Sequence, residues 1–258
     1  DIAACIASVA FCDDVLVFDS FSTDATVERA LAAHARVMQH AFVDYASQRM
    51  ACLELGNFAH AWVFMLDADE RFTPALRAEI ERELGRTDNP YSLYRLRRKD
   101  YLKGRWIRGS SGYPTWFGRL LRRGAVRITR PVNELYETDG CIGLLQEHLV
   151  HQPFSKGLSR WLERHNAYSD GEALALAVER QRPIDWPGLV QRDPATRRRA
   201  LKGLYYRLPL RPWWVFVYLY FLRGGFLAGR SGYYYACLRM SYETMIDAKS
   251  WLQDEPPP

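Results

Sequence analysis

The chain has 258 residues, enough for one sizeable α/β domain and a smaller appendage. Hydrophobic residues make up 48% and charged residues 25%, which excludes wholesale disorder. The net charge of +5 conceals an asymmetry: residues 1–94 carry 7 Lys/Arg against 15 Asp/Glu, and residues 95–130 carry 12 Lys/Arg against Asp100 alone.

An acidic first part suits a metal site, and a basic middle suits the phosphates of a substrate or of lipid headgroups, or forms a solvated basic face. No nucleic-acid reader motif is visible, so no nucleic-acid partner is expected. The five cysteines are odd in number and form no CxxC pair, which speaks against a disulfide framework or a zinc site. Mostly buried, reduced thiols of a cytoplasmic protein are expected instead. The start is short, weakly apolar and flanked by Asp1 and Asp13-Asp14, unlike a signal peptide. No stretch reaches the roughly 18–20 apolar residues that a membrane span needs.

In chain order, Ile2, Cys5, Ile6 and Val9 share one helical face. Val15 to Phe18 reads as a buried parallel strand ending at Asp19, and Ser20 to Asp24 as a polar turn. Thr26 to Ala33 follows as a helix with Val27, Ala30 and Leu31 inward. Arg36 to Gln39 is a second strand, and Tyr45 to Leu55 a helix stopped by Gly56. Trp62 to Leu66 is an apolar strand ending at Asp67, and Pro74 opens a helix capped by Thr73. Such alternation predicts a parallel sheet with helices on both faces. Asp19 and the Asp67/Asp69 pair then meet at the carboxyl rim where ligands bind.

From Tyr91 the pattern changes to short strands (Tyr91 to Leu96, Trp106 to Arg108, Trp116 to Leu121) between Gly-rich turns, with His148 to His151 as the last strand. A charged helix over 157–180, a Pro-rich loop over 181–195 and further helices to Trp251 complete the chain, with a disordered tail. The predicted division is residues 1–155 and 156–258.

The strongest chemical signal is Phe64-Met65-Leu66-Asp67-Ala68-Asp69-Glu70. Two carboxylates past a rigid strand suit magnesium or manganese bridging a diphosphate, where few protein ligands are needed. Capping of the following helix by Asp69 or Glu70 is the plainer alternative. Haloacid-dehalogenase-type phosphatases also place Asp-x-Asp after a strand, but their pattern has Thr or Val where Arg71 stands.

The second signal is Val17-Phe18-Asp19-Ser20-Phe21-Ser22-Thr23-Asp24-Ala25-Thr26. It resembles the V-V-D-x-x-S-x-D-x-T segment of family 2 glycosyltransferases with the GT-A fold. Gln48-Arg49 resembles that family's Q-[KR]-N helix, with Met50 in place of Asn, and Asp67-Ala68-Asp69-Glu70-Arg71 resembles its metal motif. Within the family the likeness is to bacterial enzymes of lipopolysaccharide-core and exopolysaccharide synthesis. It extends through Arg98-Lys99-Asp100-Tyr101, Gly104-Arg105-Trp106-Ile107, Arg119-Leu120, Arg130-Pro131-Val132-Asn133-Glu134, His148-Leu149-Val150-His151, His165-Asn166-Ala167-Tyr168-Ser169-Asp170 and Tyr218 to Gly232.

The resemblance implies a GT-A nucleotide-sugar domain, a Rossmann-like mixed sheet here without its usual first strand, which precedes Asp1. A sheet without that strand leaves edges unpaired, so weak stability and reduced donor affinity are expected. The resemblance also implies inverting transfer of a hexose from a nucleoside diphosphate sugar, uridine favoured, to a lipid-linked glycan. Asp67 and Asp69 hold Mg2+ or Mn2+ and donor; Asp19, Ser22, Gln48 and Arg49 bind the nucleotide; Glu134 is the general base. Glu137 and Asp139 are rivals for that base, and an ion pair to Arg130 is the structural alternative. Trp106 and Trp116 stack on an acceptor sugar or pack in the core. His148 and His151 read as structural, with one available to a diphosphate.

Residues 212–222 are apolar and aromatic, flanked by Arg207, Arg211, Arg223 and Arg230. Helices lying in the cytoplasmic face of the inner membrane are expected from that pairing; a hairpin packed on the domain or a homo-oligomer contact competes. A degenerate, membrane-bound scaffold of the same fold is the non-enzymatic alternative.

Overall fold

The computed structural model describes residues 1–109, 113–130, 134–191 and 193–253. Two compact units divide the chain: Asp1–Tyr101 with Tyr113–Ser155, and Leu102–Gly112 with Lys156–Pro258.

The first unit opens with helix α1 (Ile2–Ser8), strand β1 (Leu16–Asp19), helix α2 (Thr26–Ala32) and strand β2 (Arg36–Gln39). Ile6, Ala30 and Ala35 are buried together beneath Val15, Val17 and Val37. Leu31, expected inside, is 57% exposed, because Ala30 takes the inward position of this short helix. Helix α3 (Tyr45–Leu55) begins where the Asp44 carboxylate accepts from the Ser47 amide at 2.9 Å. It ends at Gly56 in ordinary right-handed conformation, φ −66. Glycine is needed there for space, since a Cβ would lie 2.5 Å from the Cys52 carbonyl oxygen.

Strand β3 (Trp62–Phe64) leads to the aspartate pair and the two-residue strand β4 (Glu70–Arg71). Helix α4 (Pro74–Leu84) is capped by Thr73, whose hydroxyl accepts from the Leu76 amide at 3.1 Å. Strand β5 (Tyr91–Leu102) crosses the unit boundary, and β6 (Arg105–Trp106) belongs to the second unit. Strands β7 (Trp116–Arg122), β8 (Arg127–Thr129), β9 (Leu135–Glu137) and β10 (Cys141–His151) complete the first.

The main sheet runs β3-β7-β5-β10-β4. Only β5 and β10 pair in parallel; β3–β7, β5–β7 and β4–β10 are antiparallel. Strands β1 and β2 pair in parallel as a separate two-stranded sheet, and β8–β9 form a small antiparallel hairpin. The expected single parallel sheet carrying both Asp19 and Asp67 is therefore corrected. The β3 backbone pairs with the antiparallel β7, and among the described strands β1 pairs with β2 alone.

Two cores sandwich the main sheet: Leu93, Leu121, Val63, Met65 and Tyr136 pack with α3, and Tyr94, Leu96, Leu120, Leu145 and Leu149 with Leu76 of α4. Met50, where the resemblance has Asn, faces the first core, and its sulfur accepts from the Ile128 amide at 3.4 Å. All five cysteines are free; Cys5 and Cys52 are buried, but Cys12 and Cys141 are exposed, against the expectation of mostly buried thiols.

The second unit contains α5 (Gly157–Gln181), the short α6 (Trp186–Leu189) inside the predicted loop, α7 (Pro194–Tyr205), α8 (Arg211–Val217) and α9 (Arg230–Gln253). Buried Arg211 binds Glu243 and, at 3.0 Å, Asp247 of α9. The aromatic run is not one helix: α8 passes into a π-helical turn over Tyr218–Leu222 and a 3-10 turn over Gly225–Ala228. No described helix is long and apolar enough to cross a membrane. Trp213, Trp214 and Phe221 are each more than half exposed. The predicted disordered tail, residues 254–258, lies outside the described residues.

Candidate active site

Asp67 follows β3, and its carboxylate lies between two arginines. Arg119 reaches Oδ2 at 2.8 Å and Arg49 of α3 reaches Oδ1 at 2.7 Å. Arg119 is placed by a bulge in β7: Tyr94 pairs with Leu120 but the next residue, Arg95, pairs with Gly118. The extra residue in the ladder is Arg119, and bulges re-aim side chains in this way. The same guanidinium nitrogen reaches Glu70 Oε1 at 2.8 Å, and Glu70 Oε2 accepts from the Asp67 amide at 3.0 Å. Glu70 is fully buried. Such a cluster is tolerated only because every charge in it is paired.

Arg49 spends its fork on two carboxylates, since its Nε donates to Glu134 Oε1 at 2.9 Å. The expected base is thus tied through one guanidinium to the first aspartate of the pair. Its ion-pair partner is Arg49 and not Arg130, the partner of the structural alternative. Residues 131–133 of the Arg130–Glu134 segment lie outside the described residues. The rivals sit elsewhere on the β9 hairpin: Glu137 accepts from the Thr129 hydroxyl at 3.4 Å, and Asp139 lies exposed, 3.9 Å from Arg127.

Asp69 has a different neighbour. Its Oδ2 is 3.4 Å from His151 Nε2, and His151 Nδ1 is 2.7 Å from Asp100 Oδ1. Arg98 closes the chain, 3.5 Å from Asp100 and 3.6 Å from Glu70. His148 and His151, three residues apart, have different partners: His148 Nε2 meets the Tyr113 hydroxyl at 2.7 Å. His151 therefore belongs to the aspartate cluster, a placement that sequence reasoning missed. The bulge-dependent role of Arg119 was missed as well, although the residue itself falls within the family likeness.

Electrostatics follow the geometry. Burial alone raises a carboxyl, but Arg119 and Arg49 outweigh it and hold Asp67 far below the carboxylate range. Burial likewise opposes Asp69, and the bond to His151 holds its carboxyl low. Burial lowers an imidazole, yet the bonds to Asp100 and Asp69 outweigh it and raise His151 to about 9. Glu70 is pushed up by burial, with Arg119 opposing.

Asp19 anchors the turn that follows β1. Its Oδ2 accepts from the Ser22 amide at 3.0 Å and from Gln39 Nε2 at 3.1 Å. Gln48 donates to the Ser20 hydroxyl at 2.9 Å and lies 3.0 Å from His40 Nδ1. Gln48 and Arg49, adjacent on α3, thus join the Asp19 turn to the Asp67 rim. Of the two tryptophans, Trp116 lies in the first unit beside Arg97, whose guanidinium carbon is 4.7 Å from its ring. Trp106 lies in the second unit, 5.4 Å from the Arg108 guanidinium.

No group of three or more metal-ligating side chains occurs among the described residues. Both oxygens of Asp67 are engaged by arginine, so it is the poorer of the two expected ligands in this state. Asp69 is the less engaged of the two carboxylates, and His151 Nε2 beside it would join as a ligand only on giving up its proton to become neutral imidazole.

No family model matches the chain. It is 28% identical over 254 residues to "Lipopolysaccharide core biosynthesis glycosyltransferase LpsC" of Rhizobium meliloti (strain 1021), covering 95% of this chain and 85% of that protein. A solved structure described as S. aureus TarS 1-349 covers 100% of this chain and 89% of its own, at 14% identity and a TM-score of 0.39. The resemblance first carried by Asp19, Gln48-Arg49 and Asp67-Asp69 is thus a similarity, over nearly the whole chain, to a glycosyltransferase of lipopolysaccharide-core biosynthesis.

Proposed function

We propose that the protein is an inverting glycosyltransferase of lipopolysaccharide-core biosynthesis, moving a hexose from a nucleoside diphosphate sugar, UDP favoured, to a lipid-linked glycan. The observation that carries this reading is the shared guanidinium of Arg49, which ties Glu134 to Asp67 beside Asp69 and His151. A transfer with inversion needs a carboxylate base near the acceptor hydroxyl and cationic groups near the departing diphosphate. Glu134 supplies the first, and Arg49 and Arg119 flank the second.

In this reading Asp19 and Ser22 bind the nucleoside, with Gln48 bracing their turn from α3. Asp69 would hold Mn2+ or Mg2+, with His151, oriented by Asp100, joining it once deprotonated. The cation, when bound, neutralises charge on the leaving diphosphate. Glu134 takes the proton of the attacking hydroxyl. Arg49 keeps that carboxylate aimed until donor and acceptor are in place.

The second unit serves as the membrane contact, on the cytoplasmic face of the inner membrane. Its support is the exposure of Trp213, Trp214 and Phe221 next to Arg223 and Arg230, a pairing suited to the headgroup boundary. A thermal-shift panel of nucleoside diphosphate sugars with and without manganese tests the donor reading, because only a ligand of the native state raises the melting point. A metal-dependent rise with one donor is expected. A flat response across the panel would remove the reading.

A further inference from the structure

On the main sheet, Arg97 stands directly opposite Trp116 on one side and His148 on the other. Directly opposite residues share a face, so the three form one row across β7, β5 and β10. Lys99 and Arg95 extend that row along β5 by its period of two. Tyr113 closes it: its hydroxyl is 2.7 Å from His148 Nε2, and its ring lies 5.7 Å from the Arg97 guanidinium.

The row is rich in positive charge, and part of its hydrogen-bonding capacity is unused. Arg97 donates through one terminal nitrogen to the Gln146 carbonyl oxygen at 2.6 Å, but its shielded Nε bonds no described group. His148 Nδ1 is shielded and without a hydrogen bond as well, its nearest carboxylate being the half-exposed Glu147 at 3.9 Å. Burial first, then Lys99 and Arg97, lower the His148 imidazole, as a positive local potential requires. The Trp116 ring beside the Arg97 guanidinium, with Lys99 two residues along the strand, offers a sugar both an apolar platform and an anion partner.

The row is linked through Tyr136 to the segment that carries the candidate base. Gly118, two residues from Trp116 on the same strand and opposite Arg95, is covered by Tyr136; a Cβ there would sit 2.7 Å from the Tyr136 ring. Tyr136 is two residues from Glu134. We infer that Trp116, Arg97, Lys99 and His148 form the acceptor subsite, and that the sugar it recognises carries an anionic group, phosphate or carboxylate. This rests on the glycosyltransferase reading above and adds the acceptor class to it.

The test is calorimetric binding of the full chain to lipopolysaccharide core oligosaccharide in four forms: intact, dephosphorylated with hydrogen fluoride, carboxyl-reduced, and both. The intact form should bind about tenfold tighter than the doubly neutralised one, the worth of one charge-assisted contact. The singly treated arm that loses affinity identifies the group. Arg97→Gln and Lys99→Gln should each abolish the preference, whereas Trp116→Ala should weaken all forms alike, with the donor-induced thermal shift kept in all three. Should Arg97→Gln fail to fold, Lys99→Gln carries the test alone. Equal binding of charged and neutralised oligosaccharide overturns the subsite even if donor binds. Selective binding without any donor-induced shift supports the subsite and sinks the donor reading.

Discussion

Glu134 and Asp67 share one guanidinium: Arg49 reaches Glu134 Oε1 through Nε at 2.9 Å and Asp67 Oδ1 through a terminal nitrogen at 2.7 Å. The 85 residues separating Arg49 from Glu134 make this a tertiary contact, created when α3 and the β9 hairpin pack on one core. It places the expected base and the expected donor aspartate under common control.

Arg49→Gln removes that control. Both carboxylates lose a charge-assisted partner, so sugar transfer should fall by about 10–100-fold, the scale of one or two such bonds. Arg49→Lys should not restore it, because one ammonium nitrogen does not replace the two separate donor atoms, Nε and a terminal nitrogen, that reach the two carboxylates. Full activity in either variant, measured as kcat/KM for the donor, would argue that Arg49 is only structural.

Arg119→Met should destabilise the first unit by about 3–5 kcal/mol, since removing one partner leaves buried carboxylate uncompensated. Arg119 is 4% exposed and serves both Asp67 and Glu70. The urea midpoint should drop at unchanged slope. The double variant Arg119→Met/Glu70→Gln should recover part of the loss, as expected for coupled neighbours.

His165 should give the second unit an acid limit. Its ring stacks on Trp161 at 3.6 Å and its pKa is lowered to about 4 by burial, with the Trp161 carbonyl opposing and Arg239 and Arg164 adding to the fall. The unfolded imidazole protonates near 6.5, so the unfolded chain binds more protons between those values. Stability is therefore fully present above about pH 6.5 and lost as the pH falls toward about 4. His165→Phe keeps the stack and should flatten that limb in a melting-point series. An unchanged limb would show that other groups set it.

Leu121→Ala should cost about 2–5 kcal/mol, because the side chain is wholly buried in the core under α3. Chemical denaturation reads this directly, and a loss below 1 kcal/mol would mean that the core collapses around the gap.

Local signals were the legible ones. Thr73 marks the start of α4 as its cap, and Tyr45–Leu55 and Arg36–Gln39 fall where periodicity puts them. Asp67 and Asp69 stand out because a short apolar run ends just before them. Pairing partners were not legible. Whether β3 lies beside β1 or β7 depends on contacts between residues about 60 apart, and the two sheets separate there. Strands β4, β8 and β9 are two or three residues long, too short for any period to show. Arg119 owes its place to a bulge and His151 to its register against Asp100, neither of which has a sequence mark.

In the proposed reaction Glu134 and Asp69 serve a single sugar transfer. Its most direct test is transfer of labelled sugar from a nucleoside diphosphate donor to rough lipopolysaccharide, with manganese, by the wild-type chain, Glu134→Gln and Asp69→Ala. Both variants should fold normally and lose about 10²–10⁴ in rate, with Glu134→Gln still showing the donor-induced thermal shift. Transfer by Glu134→Gln at the wild-type rate would contradict the account.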